Sequence, residues 1–140
     1  MYKGFKQITP IQIRFKDVDK MGHVNNANHL TYFELARMKY FEDVVKSKID
    51  WLKQGVILAR MEINYKQPVL LEDKVFVFTK CTRFGTKSFD LSHYLVKQNE
   101  NGEYTELAGG LSVVVCFDYE KGAAMAVPQD WVEKTKAFES

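Results

Sequence analysis

The feature that most constrains this chain is a helix with almost no side to give to water. Residues 27–46 contain neither glycine nor proline and read as one long helix. At about 100° per residue, Leu30, Tyr32, Phe33, Leu35, Ala36, Met38, Phe41 and Val44 point around most of the circumference. Lys39, Glu42 and Asp43 share the polar sector that is left. A helix on a protein surface shows one apolar stripe, whereas one that is apolar nearly all round must be wrapped by other structure. The wrapping has to come from the rest of 140 residues, a length that suits one domain over 1–140 with a single core.

The remaining sequence supplies strands. Ile11, Ile13 and Phe15 alternate with Gln12, Arg14 and Lys16 as in a half-buried strand. After Gly55, the residues Ile57, Ala59, Met61, Ile63 and Tyr65 alternate with Arg60, Glu62, Asn64 and Lys66 until Pro68 ends the run. Residues 75–82, 88–96 and about 104–117 read as three more strands, separated by turn signals at Glu72-Asp73, at Phe84-Gly85-Thr86 and at 99–102. Turns this short force antiparallel neighbours. Gly109-Gly110 marks a bulge or a close backbone approach, and a short helix from Pro128 through Trp131 closes the chain. The expected fold class is α+β, one antiparallel sheet curled around one long helix.

Charge and composition narrow the function. Charged residues make up 27% of the chain yet sum to only +2, with both signs interleaved, so there is no basic stripe for nucleic acid. No apolar stretch approaches the roughly 20 residues of a membrane span, and no apolar run follows the first lysines as in a signal peptide. Cys81 and Cys116 sit in apolar, strand-like stretches and read as buried free thiols of a reducing, cytoplasmic compartment. His23 and His29 are six apart and His93 is remote from both, so no metal-ligand spacing emerges, and neither metal nor cofactor is expected.

The chemistry concentrates between the first strand and the helix, in Asp17-Val-Asp19-Lys-Met-Gly22-His23-Val-Asn25-Asn26, which runs on into Glu34-Leu-Ala-Arg37. This pattern resembles the signature of hotdog-fold thioesterases, the branch typified by 4-hydroxybenzoyl-CoA thioesterase and its bacterial acyl-CoA relatives. Later landmarks agree in spacing, among them Tyr65-Lys-Gln-Pro68, Lys87-Ser88-Phe89 and Phe117-Asp118, so the likeness spans nearly the whole chain. It implies the fold already argued, hydrolysis of acyl-CoA or acyl-carrier-protein thioesters, and a homodimer or homotetramer with the active site between subunits.

The resemblance also implies roles for individual residues. Asp19 takes the position of the catalytic aspartate, as nucleophile or as general base toward water. Read from its residues alone, Asp19 is equally a turn or cap aspartate, although a carboxylate ahead of a helix N-terminus is kept ionised by the dipole. The backbone N–H of Asn26 matches the donor that polarises the thioester carbonyl, and Gly22 allows the backbone to approach the ligand. Asn25 or Asn26 can also cap the helix. His23 could orient the thioester or a water. Tyr32 falls among the substrate contacts. Glu34 is a rival carboxylate that, three residues from Arg37, also fits a buried ion pair. Arg83, Lys87 and Ser88 flank the turn where the family contacts the nucleotide phosphates of coenzyme A. A hotdog hydratase would need a His/Asp or His/Glu constellation that is absent from the motif. A protein that binds acyl thioesters without cleaving them is the remaining alternative.

Overall fold

The computed structural model describes residues 2–47 and 49–140. The long helix is present as α1, Asn28–Tyr40, and runs on through a wider π-helical turn, Phe41–Val45. Lys46 ends it in the left-handed conformation, with φ of 54°. His29, Tyr32, Phe33, Ala36 and Tyr40 are its buried side chains. They follow the spacing of one helix face. Leu30, Leu35 and Met38 stay 45%, 51% and 41% exposed. The expectation of complete wrapping therefore fails: the sheet covers one side of α1, and apolar residues on the other side are left uncovered.

The sheet contains β1 (Gln7–Ile11), β2 (Gln54–Tyr65), β3 (Val75–Phe84), β4 (Ser88–Gln98) and β5 (Tyr104–Asp118), in the spatial order β1-β3-β4-β5-β2 with every neighbour antiparallel. A two-residue strand, β6 (Ala123–Ala124), pairs with the end of β5. The four later strands lie where the alternation placed them, extended by one to three residues at their ends. The first does not. Ile11 is the last residue of β1 instead of its first apolar position, and Phe15 is 85% exposed. The reason is local: the Asp17 carboxylate accepts hydrogen bonds from the Arg14 backbone and guanidinium, which close 15–17 into a 3₁₀ turn.

One part of the core packs Val24, Tyr32, Phe33 and Ala36 against Val69, Val77, Leu95 and Ala108. Another packs Phe41, Val44 and Val45 against Phe89, Leu91, Val114 and Trp131. Gly110 permits the first. A β-carbon there would lie 3.3 Å from the Phe33 ring and 3.0 Å from Met61, so the close-approach reading of Gly109-Gly110 holds at Gly110. The bulge itself sits nearby at Leu107, where the β4–β5 register shifts. The closing helix, α2 (Gln129–Glu139), is much longer than residues 128–131. Its Trp131 packs edge-on to Phe41, with ring centroids 5.7 Å apart, and Glu139 accepts hydrogen bonds from the Cys81 N–H (2.6 Å) and Tyr40 hydroxyl (3.2 Å). Both cysteines are buried free thiols, pushed up to about 12 for Cys81 and about 11 for Cys116 chiefly by burial. No helix among the described residues is long and apolar enough to cross a membrane.

Candidate active site

The loop between β1 and α1 is held from below by Asp17. Its side chain is only 1% exposed, and it accepts hydrogen bonds from the Tyr32 hydroxyl (2.7 Å) and from the Arg14 N–H (3.1 Å) and guanidinium (2.9 Å). Its backbone carbonyl accepts the Asn25 N–H (2.8 Å) and the Asn28 carboxamide (3.0 Å). Burial works to raise the Asp17 pKa, but the hydrogen bonds from Tyr32 and Arg14 and the Arg14 charge outweigh it and hold the carboxyl below its ordinary range. Tyr32, expected among substrate contacts, is 1% exposed and its hydroxyl is committed to Asp17, so it belongs to the foundation of the loop.

Asp19 is different in kind. Asp19 is exposed at a tight turn, its N–H donating to the His23 carbonyl (2.7 Å) while its own carbonyl accepts the Gly22 N–H (3.0 Å). Gly22 makes the turn with φ of 81°, a conformation that costs other residues steric strain. One carboxylate oxygen accepts the Met21 N–H (2.8 Å) and the His23 N–H (3.3 Å); the other accepts no hydrogen bond among the described residues. The amides it engages therefore belong to its own turn and not to the first turn of α1, contrary to the dipole argument from sequence. His23 is half-buried, and its backbone bridges to Leu70, tying the turn to the loop ahead of β3.

Ahead of α1, the Asn25 side-chain oxygen accepts the Ala27 N–H (2.9 Å) and closes a turn; Ala27 is the N-cap and no side chain caps the helix, so the cap expected from Asn25 or Asn26 is not made. The Asn26 carbonyl accepts the His29 N–H (3.2 Å) and the Tyr65 hydroxyl (3.2 Å) from β2. The Asn26 N–H itself meets no acceptor among the described residues. Beneath it lies His29, 2% exposed, edge-on to Tyr65 at 4.9 Å, with its Nδ1 unpartnered. Burial lowers the His29 pKa despite the neighbouring Asn25 and Asn26 backbone, so the ring is neutral at pH 7.

Farther along α1 the ion pair expected between Glu34 and Arg37 is not made. Glu34 is exposed, while the Arg37 guanidinium turns toward β5 and donates to the Ser112 hydroxyl (3.1 Å). Ser112 is hydrogen-bonded in turn to His93 Nε2 (2.9 Å), and His93 Nδ1 to the Thr79 hydroxyl (3.1 Å). The sequence reading set His93 aside as remote. Strand alternation on β4 places it on the same face as Phe89, Leu91 and Leu95, and that signal was sufficient to find it inside. At the β3–β4 turn, Arg83 is tied bidentately to Asp90 (3.0 Å to each oxygen) and reaches Ser88 (3.3 Å). Lys87 is exposed there with no acidic partner among the described residues.

The fold is thus an antiparallel sheet packed on one long helix, and the loop leading into that helix carries an exposed aspartate with one carboxylate oxygen that accepts no hydrogen bond among the described residues. Residues 13–135 match the family model described as the thioesterase-like superfamily, and the chain belongs to that family. The long-chain acyl-CoA thioesterase FadM of Escherichia coli K12 is 27% identical over 129 residues, covering 90% of this chain and 94% of its own. The acyl-CoA thioester hydrolase YbgC of Escherichia coli O6:H1 is 26% identical over 129 residues, covering 91% and 93%. A thioesterase of Thermus thermophilus, solved with coenzyme A and Zn, superposes with a TM-score of 0.82 at 36% identity, covering 98% of this chain and 96% of that one. The expected fold and the thioesterase class both hold.

Proposed function

We propose that this chain, acting as one domain, hydrolyses acyl-CoA thioesters to the free acid and the coenzyme A thiol, with Asp19 as the reacting carboxylate. Membership of the thioesterase-like superfamily and the activities named for FadM and YbgC support the reaction. The observation that carries the residue assignment is the division of labour in the Asp19 carboxylate: one oxygen fixes the turn, and the other is open to solvent. A carboxylate oxygen held in place and open to solvent is what either attack on the thioester carbon or proton removal from water requires. With Asp19 as base, it takes a proton from water, the water oxygen adds to the thioester carbon, and the C–S bond breaks as the departing sulfur takes up that proton. With Asp19 as nucleophile, its oxygen displaces the thiolate to leave a mixed anhydride, which water then cleaves to the free acid and the regenerated carboxylate. The free Asn26 N–H stands at the helix start, where a donor would stabilise charge growing on the thioester oxygen. Gly22 and His23 shape the turn around Asp19, and Asn25 keeps the Ala27 N–H occupied, leaving Asn26 as the donor.

The same reading assigns Lys87, with Arg83 and Ser88 beside it, to the nucleotide phosphates. Lys87 is the cation free to do so, since Arg83 already serves Asp90. It also assigns a homodimer or homotetramer in a cytoplasmic setting: β2 is an edge strand of 12 residues, and α1 leaves Leu30, Leu35 and Met38 uncovered, surfaces that a second copy of the chain would cover.

The test is Asp19→Asn, which keeps shape and removes the charge. We expect kcat on acyl-CoA to fall by at least about a hundredfold while the fold is retained. A turn-only role predicts instead a stability change of about 1 kcal/mol or less and nearly normal turnover. That second outcome would sink the assignment.

A further inference from the structure

Arg37 is a cation that the protein holds in place and does not neutralise. Its guanidinium donates to Ser112, and behind Ser112 stand His93 and Thr79; these three are 0%, 1% and 0% exposed. None can serve as a counter-ion. Ser112 and Thr79 are neutral, and burial together with the Arg37 charge pushes His93 down to about 3, so it is uncharged at pH 7. No carboxylate pairs with Arg37 among the described residues, and Ser112 is its one hydrogen-bond partner there. The guanidinium lines a cavity of about 270 Å³ whose other walls include Met38, Val56, Leu58 and Val114, with exposed Glu34 as the single acid. Burial lowers the Arg37 pKa, and the charge of Glu34 one turn back offsets that only in part, without a salt bridge between the two.

Such an arrangement has a chemical complement. A planar fork of N–H donors, anchored by one nitrogen and facing an apolar space, matches a carboxylate better than any neutral group. Apolar walls strengthen that attraction by lowering the local dielectric. Resting on the thioesterase reading above, we propose that Arg37 receives a carboxylate at the far end of the acyl group, which makes half-thioesters of dicarboxylic acids the favoured substrates. Ser112, with His93 and Thr79 behind it, positions the guanidinium. Nine helical steps separate Asn28, the first residue of α1, from Arg37, about 13.5 Å along the axis. The acyl chain therefore has to be of a particular length.

The experiment compares coenzyme A thioesters of equal carbon number ending in methyl or in carboxylate, over a series of lengths, on the full chain. We expect a preference in kcat/KM for the carboxylate end of about tenfold to a hundredfold at one length. Arg37→Met should abolish it by raising KM for that substrate, leaving its methyl-ended match unchanged, and Ser112→Ala should weaken it in the same direction. Equal rates for both ends at every length would overturn the proposal, as would a parallel loss on both substrates in Arg37→Met. A second measurement needs neither turnover nor a variant: calorimetry of the unaltered protein with free suberate and free octanoate. Tighter binding of suberate supports the subsite even if no thioester is hydrolysed, a result that would refute only the reaction. Absence of any difference overturns the subsite, and would mean that the guanidinium serves another end, such as contact with a second copy of the chain.

Discussion

Asp17 and Asp19 are the same residue two positions apart, and the protein uses them in opposite ways. Asp17 is withdrawn from water, ringed by Tyr32 and Arg14, and joined through its carbonyl to Asn25 and Asn28. Asp19 is exposed, touches only amides of its own turn, and keeps an oxygen unused. Every lone pair of the first is committed to holding the loop against the helix, so it has nothing to offer a substrate. The second is held just firmly enough to point. The comparison teaches that a reactive carboxylate in a short loop needs a neighbour that is not reactive: rigidity is supplied at one position and chemistry at the other.

The sharpest way to break this comparison is to remove the charge from Asp17. Asp17→Asn should lose about 1.5–3 kcal/mol of stability, the worth of hydrogen bonds to a charged group, while turnover of the folded fraction falls far less than in Asp19→Asn. Denaturant melts and activity on the same samples check both halves. The pH profile adds a signature. Asp17 has a lowered pKa, so its contribution is present above the ordinary carboxylate value of about 3.9 and is lost as pH falls through the folded value. His29 and His93 are also lowered, so their contribution is complete above about 6.5 and declines as pH falls below it. Acid destabilisation should therefore have two limbs, and Asp17→Asn should flatten only the lower one. An unchanged lower limb would show that Asp17 is not the anchor described.

Much of this was legible in the sequence because period and turn chemistry are local. Four of five long strands, the helix, and the exposed Asp19-Gly22 turn follow from alternation, from a run without glycine or proline, and from a glycine at positive φ. The failures share a cause: each was decided by a partner distant in sequence or by the whole loop closing. Phe15 alternates correctly for a strand, but the grip of Asp17 on Arg14 folds that segment into a turn. Glu34 and Arg37 have the spacing of an ion pair, but Ser112 on β5, 75 residues away, takes the guanidinium. The rear of α1 looks apolar in any helical projection, and nothing in one chain's periodicity says which apolar face its own sheet will cover.

A smaller effect concerns the periphery of the site. If Lys87 meets the nucleotide phosphates, Lys87→Ala should raise KM for acyl-CoA by about tenfold, the worth of one charge-assisted contact, with kcat nearly unchanged. A truncated pantetheine thioester, lacking the nucleotide, should show no difference between the two proteins. Equal loss on both substrates would assign the turn to folding, as its Arg83–Asp90 pairing already does for its other cation.

The smallest expected effect separates the rival carboxylate. From the sequence, Glu34→Gln should break a buried ion pair and lower the melting temperature. From the structure it should do neither, because Glu34 is exposed and Arg37 is held by Ser112 instead. An exposed acid without a partner contributes within about 0.5 kcal/mol. We therefore expect Glu34→Gln to melt with the parent protein and to keep its turnover of methyl-ended acyl-CoA within about twofold, a difference of some 0.4 kcal/mol in the barrier. If this variant loses turnover while Asp19→Asn keeps it, the helix glutamate carries the reaction. Asp19 would then be a second anchor, and the contrast between the two aspartates would disappear.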